Sequence, residues 1–449
     1  MLTSRFVEIN RDRSFVLELP FWLSLFFWSL VPATQTPMFT IESIPVDSKD
    51  IVLVAVACFY LLLPTISNSP STTFRRPWHW HRHLPILTAS LLIYAAVSVR
   101  GSRIDADNSK AMIYTLILTA SAFSVGYNLI AKRSCESVRL FLWRLTVYLA
   151  AIGLLYSAAS LFSFGLGDVR SGITQDSDFG ILRVRGPLFG ASNGFFILVP
   201  ALGFSIQEFI HSRTQKLFKL TIVFSLLLAM IGLGSRAGLI ILCIFFLLLI
   251  FFMKNKKQAV VAAILMIILT TTAAGLFFSK ANTERFQSFE EEGRLNTHLT
   301  SFKIMEDRIA ELNILGSGYG SYWSWYITDV EQASINDATP EIKNQFGYML
   351  YHPHSTFLLF IVELGMVGLL YFLYLWTVLA RLLLRNFQSA TFSIFTCSVT
   401  ASAFSMFFDF FIFKLTLINT LWWLFLFGAL ALNASESISS SQNTSLTDK

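Results

Sequence analysis

The chain has 449 residues, of which 54% are hydrophobic, 15% aromatic and only 14% charged. A soluble domain is about 25% charged. With a mean hydropathy of +0.59, a soluble globular protein, a disordered chain and a disulfide scaffold are excluded. The apolar runs are continuous rather than alternating, which also excludes a transmembrane β-barrel. What remains is an all-α polytopic membrane protein. In such a protein the net charge of +6 speaks to topology and not to a nucleic-acid partner.

A spanning helix needs roughly 20 mostly apolar residues. The sequence predicts about 12 transmembrane helices, over 15–33, 51–66, 84–100, 111–131, 140–164, 187–210, 217–234, 237–253, 258–278, 356–380, 392–413 and 416–433. Arg5, Arg11 and Arg13 precede the first run, and no small-residue cleavage site follows it. A cleavable signal peptide is therefore not expected. The organisation is nine helices in 1–278, a long loop at 279–355, three helices in 356–433 and a Ser-, Asn- and Thr-rich tail at 434–449, read as disordered. Cys58, Cys243 and Cys397 lie in apolar runs and Cys135 in a basic loop, so no disulfide framework is implied.

Lysine and arginine set the orientation. The clusters Arg75/Arg76/Arg82, Lys132/Arg133/Arg139, Arg213/Lys216/Lys219, Lys254/Lys256/Lys257 and Arg381/Arg385 all fall on one side if the N-terminus is cytoplasmic. Both termini are then cytoplasmic, and the 279–355 loop lies on the outer face. Loops this long are usually functional or disordered. Its Tyr319, Tyr322, Trp323, Trp325 and Tyr326 favour short helices packed on the outer face.

The informative residues are the outer cations that break the positive-inside pattern. Arg183 and Arg185 lie in the loop that ends at Asn193, and Arg236 follows Ser235 at the tip of a Gly-rich hairpin. Arg294 lies in the long loop, which ends at Tyr351-His-Pro-His-Ser-Thr356. A single outer arginine is an ordinary interfacial anchor or loop ion pair. Several on one face point to an anionic ligand of phosphate type, because guanidinium gives always-charged, bidentate recognition. His354 is the candidate base, with His352 a weaker rival, since an unperturbed histidine titrates near neutral pH. The alternative for His354 is a helix-start residue bonded to a loop, with Ser355 or Thr356 capping the helix.

Other polar residues are less telling. The run Trp78-His-Trp-His-Arg-His83 reads as a headgroup-facing loop rather than a metal site, as no acidic or thiol partner accompanies it. Glu363 and Asp409 are intramembrane acids, each either part of a proton or ion path, a buried partner for an arginine, or the site of a helix-packing hydrogen bond. Arg144 is expected to snorkel.

These residues resemble the O-antigen ligase and O-antigen polymerase superfamily. The features that carry the resemblance are Arg183-x-Arg-Gly with Asn193, Ser235-Arg-Ala-Gly238, Gly316-x-Gly-Tyr-Gly320, and the run from His354 through Glu363, Gly365 and Gly368. They span roughly residues 181–370, whereas the first 150 residues match only as apolar spans. The resemblance implies a GT-C-like glycosyltransferase of the bacterial inner membrane, with its active site on the periplasmic side and an undecaprenyl-pyrophosphate-linked glycan as donor. Pyrophosphate is already a good leaving group, so the reaction needs positive charge and no metal or other cofactor. Arg183, Arg185, Arg236 and Arg294 suit that charge, with Asn193 and Ser235 at the substrate, and His354 would activate the attacking sugar hydroxyl. The displacement would invert the anomeric centre. Ten residues separate Arg183 from Gly194, a spacing similar to one in polymerases, and a second copy in the long loop is missing. The leading expectation is a polymerase of repeat units, partnered by a chain-length regulator. The rival is a ligase moving the glycan to lipid A–core or to a protein acceptor. A lipid-linked oligosaccharide flippase is the rival of another class, though no internal repeat is seen.

Overall fold

The computed structural model describes residues 17–30, 39–41, 44–46, 48–66, 80–101, 106–131, 133–161, 174–176, 181–183, 188, 194–211, 214–233, 236–253, 314–320, 355–388, 393–407 and 416–447, together with 260, 264 and 267. Helix α1 is Leu17–Leu30. It is followed by α2 (Ser48–Ile66), α3 (Trp80–Gly101), α4 (Ala106–Ala131) and α5 (Cys135–Leu161). Then come α6 (Phe195–His211), α7 (Lys216–Gly232) and α8 (Arg236–Phe252). After the long loop stand α9 (Thr356–Gln388), α10 (Ser393–Ala403) with a 3-10 turn at Phe404–Phe407, and α11 (Thr416–Thr447).

These helices coincide with eleven of the twelve predicted segments. The ninth, 258–278, lies largely outside the described residues. Three stretches, Met112–Ala131, Cys135–Ala158 and Thr356–Arg385, are long and apolar enough by themselves to cross a membrane, and the other apolar helices are shorter. The protein is thus helical and membrane-embedded. Among the described residues two small antiparallel hairpins join the helices, too short to change the all-α class. Strand β1 (Phe39–Ile41) pairs with β2 (Ile44–Val46), and β3 (Thr174–Asp176) with β4 (Ile181–Arg183). Phe39-Thr-Ile41 and Ile44-Pro-Val46 carry aromatic and β-branched residues, which suit a pleated ribbon too short to show as an alternating pattern. Helix α11 runs on to Thr447, since a helix already nucleated in the apolar Leu417–Asn433 stretch extends at one hydrogen bond per added residue.

Helices α6, α10 and the first half of α11 form the centre. Phe195–Glu208 is buried throughout, as is all of α10, whose Ser398 and Ser402 hydroxyls donate to carbonyls of their own helix. Helix α10 runs antiparallel along α6. The Ile394 N–H donates to Gln207 Oε1 at 3.0 Å, and Gly203 faces Ser398. The start of α6 and the 3-10 turn therefore lie at the same end of the bundle.

The opposite end holds buried ion pairs. Glu18, 2% exposed, accepts from Arg133 and from Arg144, the latter at 3.2 Å. Trp22 Nε1 also donates to Glu18 at 2.9 Å. Arg144 is thus paired rather than snorkelling, because α1 brings a carboxylate within its reach. Glu208 near the end of α6 meets Arg139 near the start of α5 and Lys219 near the start of α7. Lys219 Nζ also lies 5.2 Å from the centre of the Trp143 ring. Arg133, Arg139 and Lys219 are residues of the basic clusters that mark one side in the sequence, gathered at one end of the fold.

Candidate functional site

The three motif-bearing helices begin together. Gly194, just ahead of α6, accepts the Leu198 N–H at 2.9 Å. Two residues into α8, Gly238 packs so closely on Phe195 that a Cβ would fall 2.1 Å from the ring Cζ. The start of α8 therefore lies against the start of α6. Helix α9 is capped by Ser355, whose Oγ accepts the Leu358 N–H at 3.3 Å and donates to the Met406 carbonyl at 3.5 Å. Met406 belongs to the 3-10 turn, which also packs on α8. Upstream, the Leu188 N–H donates to the Tyr156 hydroxyl at 3.3 Å. Tyr156 lies near the α6-start end of α5, since α5 and α6 run antiparallel from the Arg139–Glu208 pair.

The helices that open at Phe195, Arg236 and Thr356 thus turn their N-termini toward one end of the bundle, around the 3-10 turn. A helix N-terminus carries unpaired N–H groups and partial positive charge, which favour an anion. Of the predicted site residues, the backbone of Arg183 closes β4 and that of Arg236 opens α8. Arg185, Asn193, Ser235, Arg294 and His354 lie outside the described residues, as do His352 and Asp409. For His354, the geometry fixes its neighbour Ser355 as the cap of α9.

The long loop and α9 meet where α9 breaks. Gly365 has φ 56° and ψ −139°, a conformation open to glycine and strained for other residues. The break frees backbone groups of the helix, and the turn Ile314–Gly320 takes them up. The Ser317 N–H donates to the Val362 carbonyl and the Gly318 N–H to the Glu363 carbonyl, both at 2.9 Å. In return the Met366 N–H donates to the Ile314 carbonyl at 2.8 Å. The Glu363 side chain, 3% exposed, accepts the Gly320 N–H through Oε2 at 2.9 Å. Helix α3 closes the far side, with Tyr94 donating to the Leu315 carbonyl and Ser98 Oγ accepting the Tyr319 N–H at 3.1 Å.

Glu363 therefore acts as a hydrogen-bonding partner for the loop backbone. Glu363→Ala removes the acceptor of Gly320 and is expected to cost about 1–3 kcal/mol. Glu363→Gln keeps an oxygen there and should cost less. Thermal unfolding of the detergent-solubilised protein measures both, and equal losses for the two variants would contradict the hydrogen-bond role. Sequence reasoning missed Tyr94 and Ser98. Both sit in an apolar segment where a hydroxyl carries no signal of a partner more than two hundred residues away.

Residues 221–373 match the family model described as O-antigen ligase. Over that third of the chain the sequence is similar to the O-antigen ligase family. The matched stretch includes Arg236, the docked turn and the broken half of α9, and it agrees with the superfamily resemblance read from the motifs. That family comprises glycosyltransferase-like membrane enzymes of ligase and polymerase type, which use lipid-linked glycans and a glycan acceptor. No curated protein matches the chain.

Proposed function

We propose that this protein is a polymerase that joins undecaprenyl-pyrophosphate-linked repeat units into an O-antigen or related surface polysaccharide at the periplasmic face of the inner membrane. The observation that supports the reading most is the gathering of three helix N-termini at one end, carrying Arg236 and the residues that follow Arg185 and His354. Guanidiniums at Arg183, Arg185, Arg236 and Arg294 would hold the pyrophosphate as the glycosidic bond breaks. His354 would take the proton of the attacking hydroxyl, and the electron pair of the broken bond leaves on undecaprenyl pyrophosphate. Asn193 and Ser235 would contact the substrate, and a chain-length regulator would be a partner. The paired basic residues at the other end fit the cytoplasmic side.

The ligase reading shares this donor chemistry and differs in its acceptor, lipid A–core or protein. The Arg183 to Gly194 spacing favours the polymerase. Deletion of the gene separates the two. Loss of a polymerase leaves single repeats on the core, whereas loss of a ligase leaves none and accumulates lipid-linked polymer. Purified protein given lipid-linked repeat units should form longer chains. Movement of labelled lipid across liposomes with no chain growth would instead identify a flippase. His354→Ala is expected to lower chain extension by about 10²–10⁴-fold with donor binding kept. Weakened donor affinity as the sole defect would make His354 a donor contact.

A further inference from the structure

The turn Ile314–Gly320 belongs to the long hydrophilic segment, yet its surroundings are apolar. Its Ile314 and Leu315 side chains are 72% and 59% exposed. Beside them stand exposed apolar side chains of the two helices that grip the turn, Ile93 and Val97 of α3 and Met366 and Leu370 of α9. Spaced four apart, each pair lies on one helix face. Tyr94, which holds Leu315, lies within the apolar stretch His83–Val99, about 8 Å from its end at 1.5 Å per residue. Below it, Thr88 bonds to Tyr371 at 2.8 Å and keeps α3 and α9 together.

Six backbone polar groups of the turn are held by protein partners. Its donors at Ser317, Gly318, Tyr319 and Gly320 and its acceptors at Ile314 and Leu315 all have partners on α3 or α9. Non-helical backbone at membrane depth is tolerated only when protein groups satisfy it in this way. A turn lying in water would have no need to exchange hydrogen bonds with a broken helix, and it would not turn two large aliphatic side chains outward.

We infer that Ile314–Gly320 is a re-entrant turn, dipping between α3 and α9 so that Ile314 and Leu315 contact the hydrocarbon of the bilayer. The occupant of this surface is lipid hydrocarbon, because exposed apolar side chains stand both on the tip and on the two helices that hold it, α3 and α9. The long segment is then anchored in the membrane part-way along its length. This holds whether the enzyme is a polymerase or a ligase.

Thiol accessibility tests the inference in the full-length protein. Leu315→Cys and Ile314→Cys are each compared with the parent chain and with Ser334→Cys in the hydrophilic segment, in membrane vesicles opened to both faces. A charged, membrane-impermeant maleimide and the membrane-soluble N-ethylmaleimide are the two probes. At positions 314 and 315 the charged probe should react at least about tenfold more slowly than at position 334, since a charged reagent is excluded from hydrocarbon, while N-ethylmaleimide enters it and still reacts. Reaction with the charged probe at the position-334 rate would place the turn in water. Reaction with neither probe would bury it in protein. Either outcome overturns the inference, and neither depends on catalytic activity, so the functional reading stands or falls separately.

Discussion

Arg236→Ala is expected to abolish detectable glycan assembly while the protein remains in the membrane. The residue opens α8, and Gly238 holds that helix start against the start of α6 at Phe195. In the proposed clamp the Arg236 guanidinium would bear on the pyrophosphate. Removing one preorganised donor at a developing oxyanion typically lowers turnover by about 10²–10³-fold. Arg236→Lys should restore little, because an ammonium keeps the charge and loses the planar two-donor fork. Chain extension by purified protein, measured with lipid-linked repeat units at saturating donor, reads both variants. Full activity of Arg236→Ala would remove this residue from the pyrophosphate clamp, and full rescue by lysine would reduce its role to charge alone.

Gly365→Ala should be the most damaging small substitution in the described part of the chain. A Cβ there would lie 2.3 Å from the Gly316 nitrogen and from the Ile314 carbonyl oxygen. Both are backbone atoms with no rotamer to escape into. Strain at the positive φ adds to the clash, and together they are expected to cost about 4 kcal/mol. Gly316→Ala meets the same interface from the other side, at 2.4 Å from the Glu363 carbonyl oxygen with φ 78°. Because either change displaces the turn from α9, the double variant should be little worse than the worse single one. Thermal unfolding in detergent measures all three. Additive losses, or a Gly365→Ala protein as stable as the parent, would show that the two glycines do not share one contact.

Much of the helical framework was legible in the sequence. Segments 51–66 and 111–131 appear as α2 and α4 with ends displaced by only a few residues, because the length of an apolar run is a local property. The Ser355 cap was legible for the same reason, since a cap depends on residues three or four positions apart. The small hairpins were not, being three residues per strand and lacking any sustained alternation. Arg144 was misread as snorkelling because its partner, Glu18, lies on another helix.

The candidate site divides along the same line. Composition and charge placement alone determined a polytopic helical protein, with unusual cations and a histidine near the starts of three apolar runs. Those are consequences of hydropathy and charge, which every residue carries wherever it folds. The motif Gly316-x-Gly-Tyr-Gly320 and the motif holding Glu363 and Gly365 were visible as separate features. Only the tertiary structure decided that they form one joint, and that Tyr94 and Ser98 of α3 close it. The reason is that the joint is made of exchanged backbone hydrogen bonds across a broken helix. Such bonds depend on the path of the main chain and leave no pattern in the side chains except the glycines that permit it.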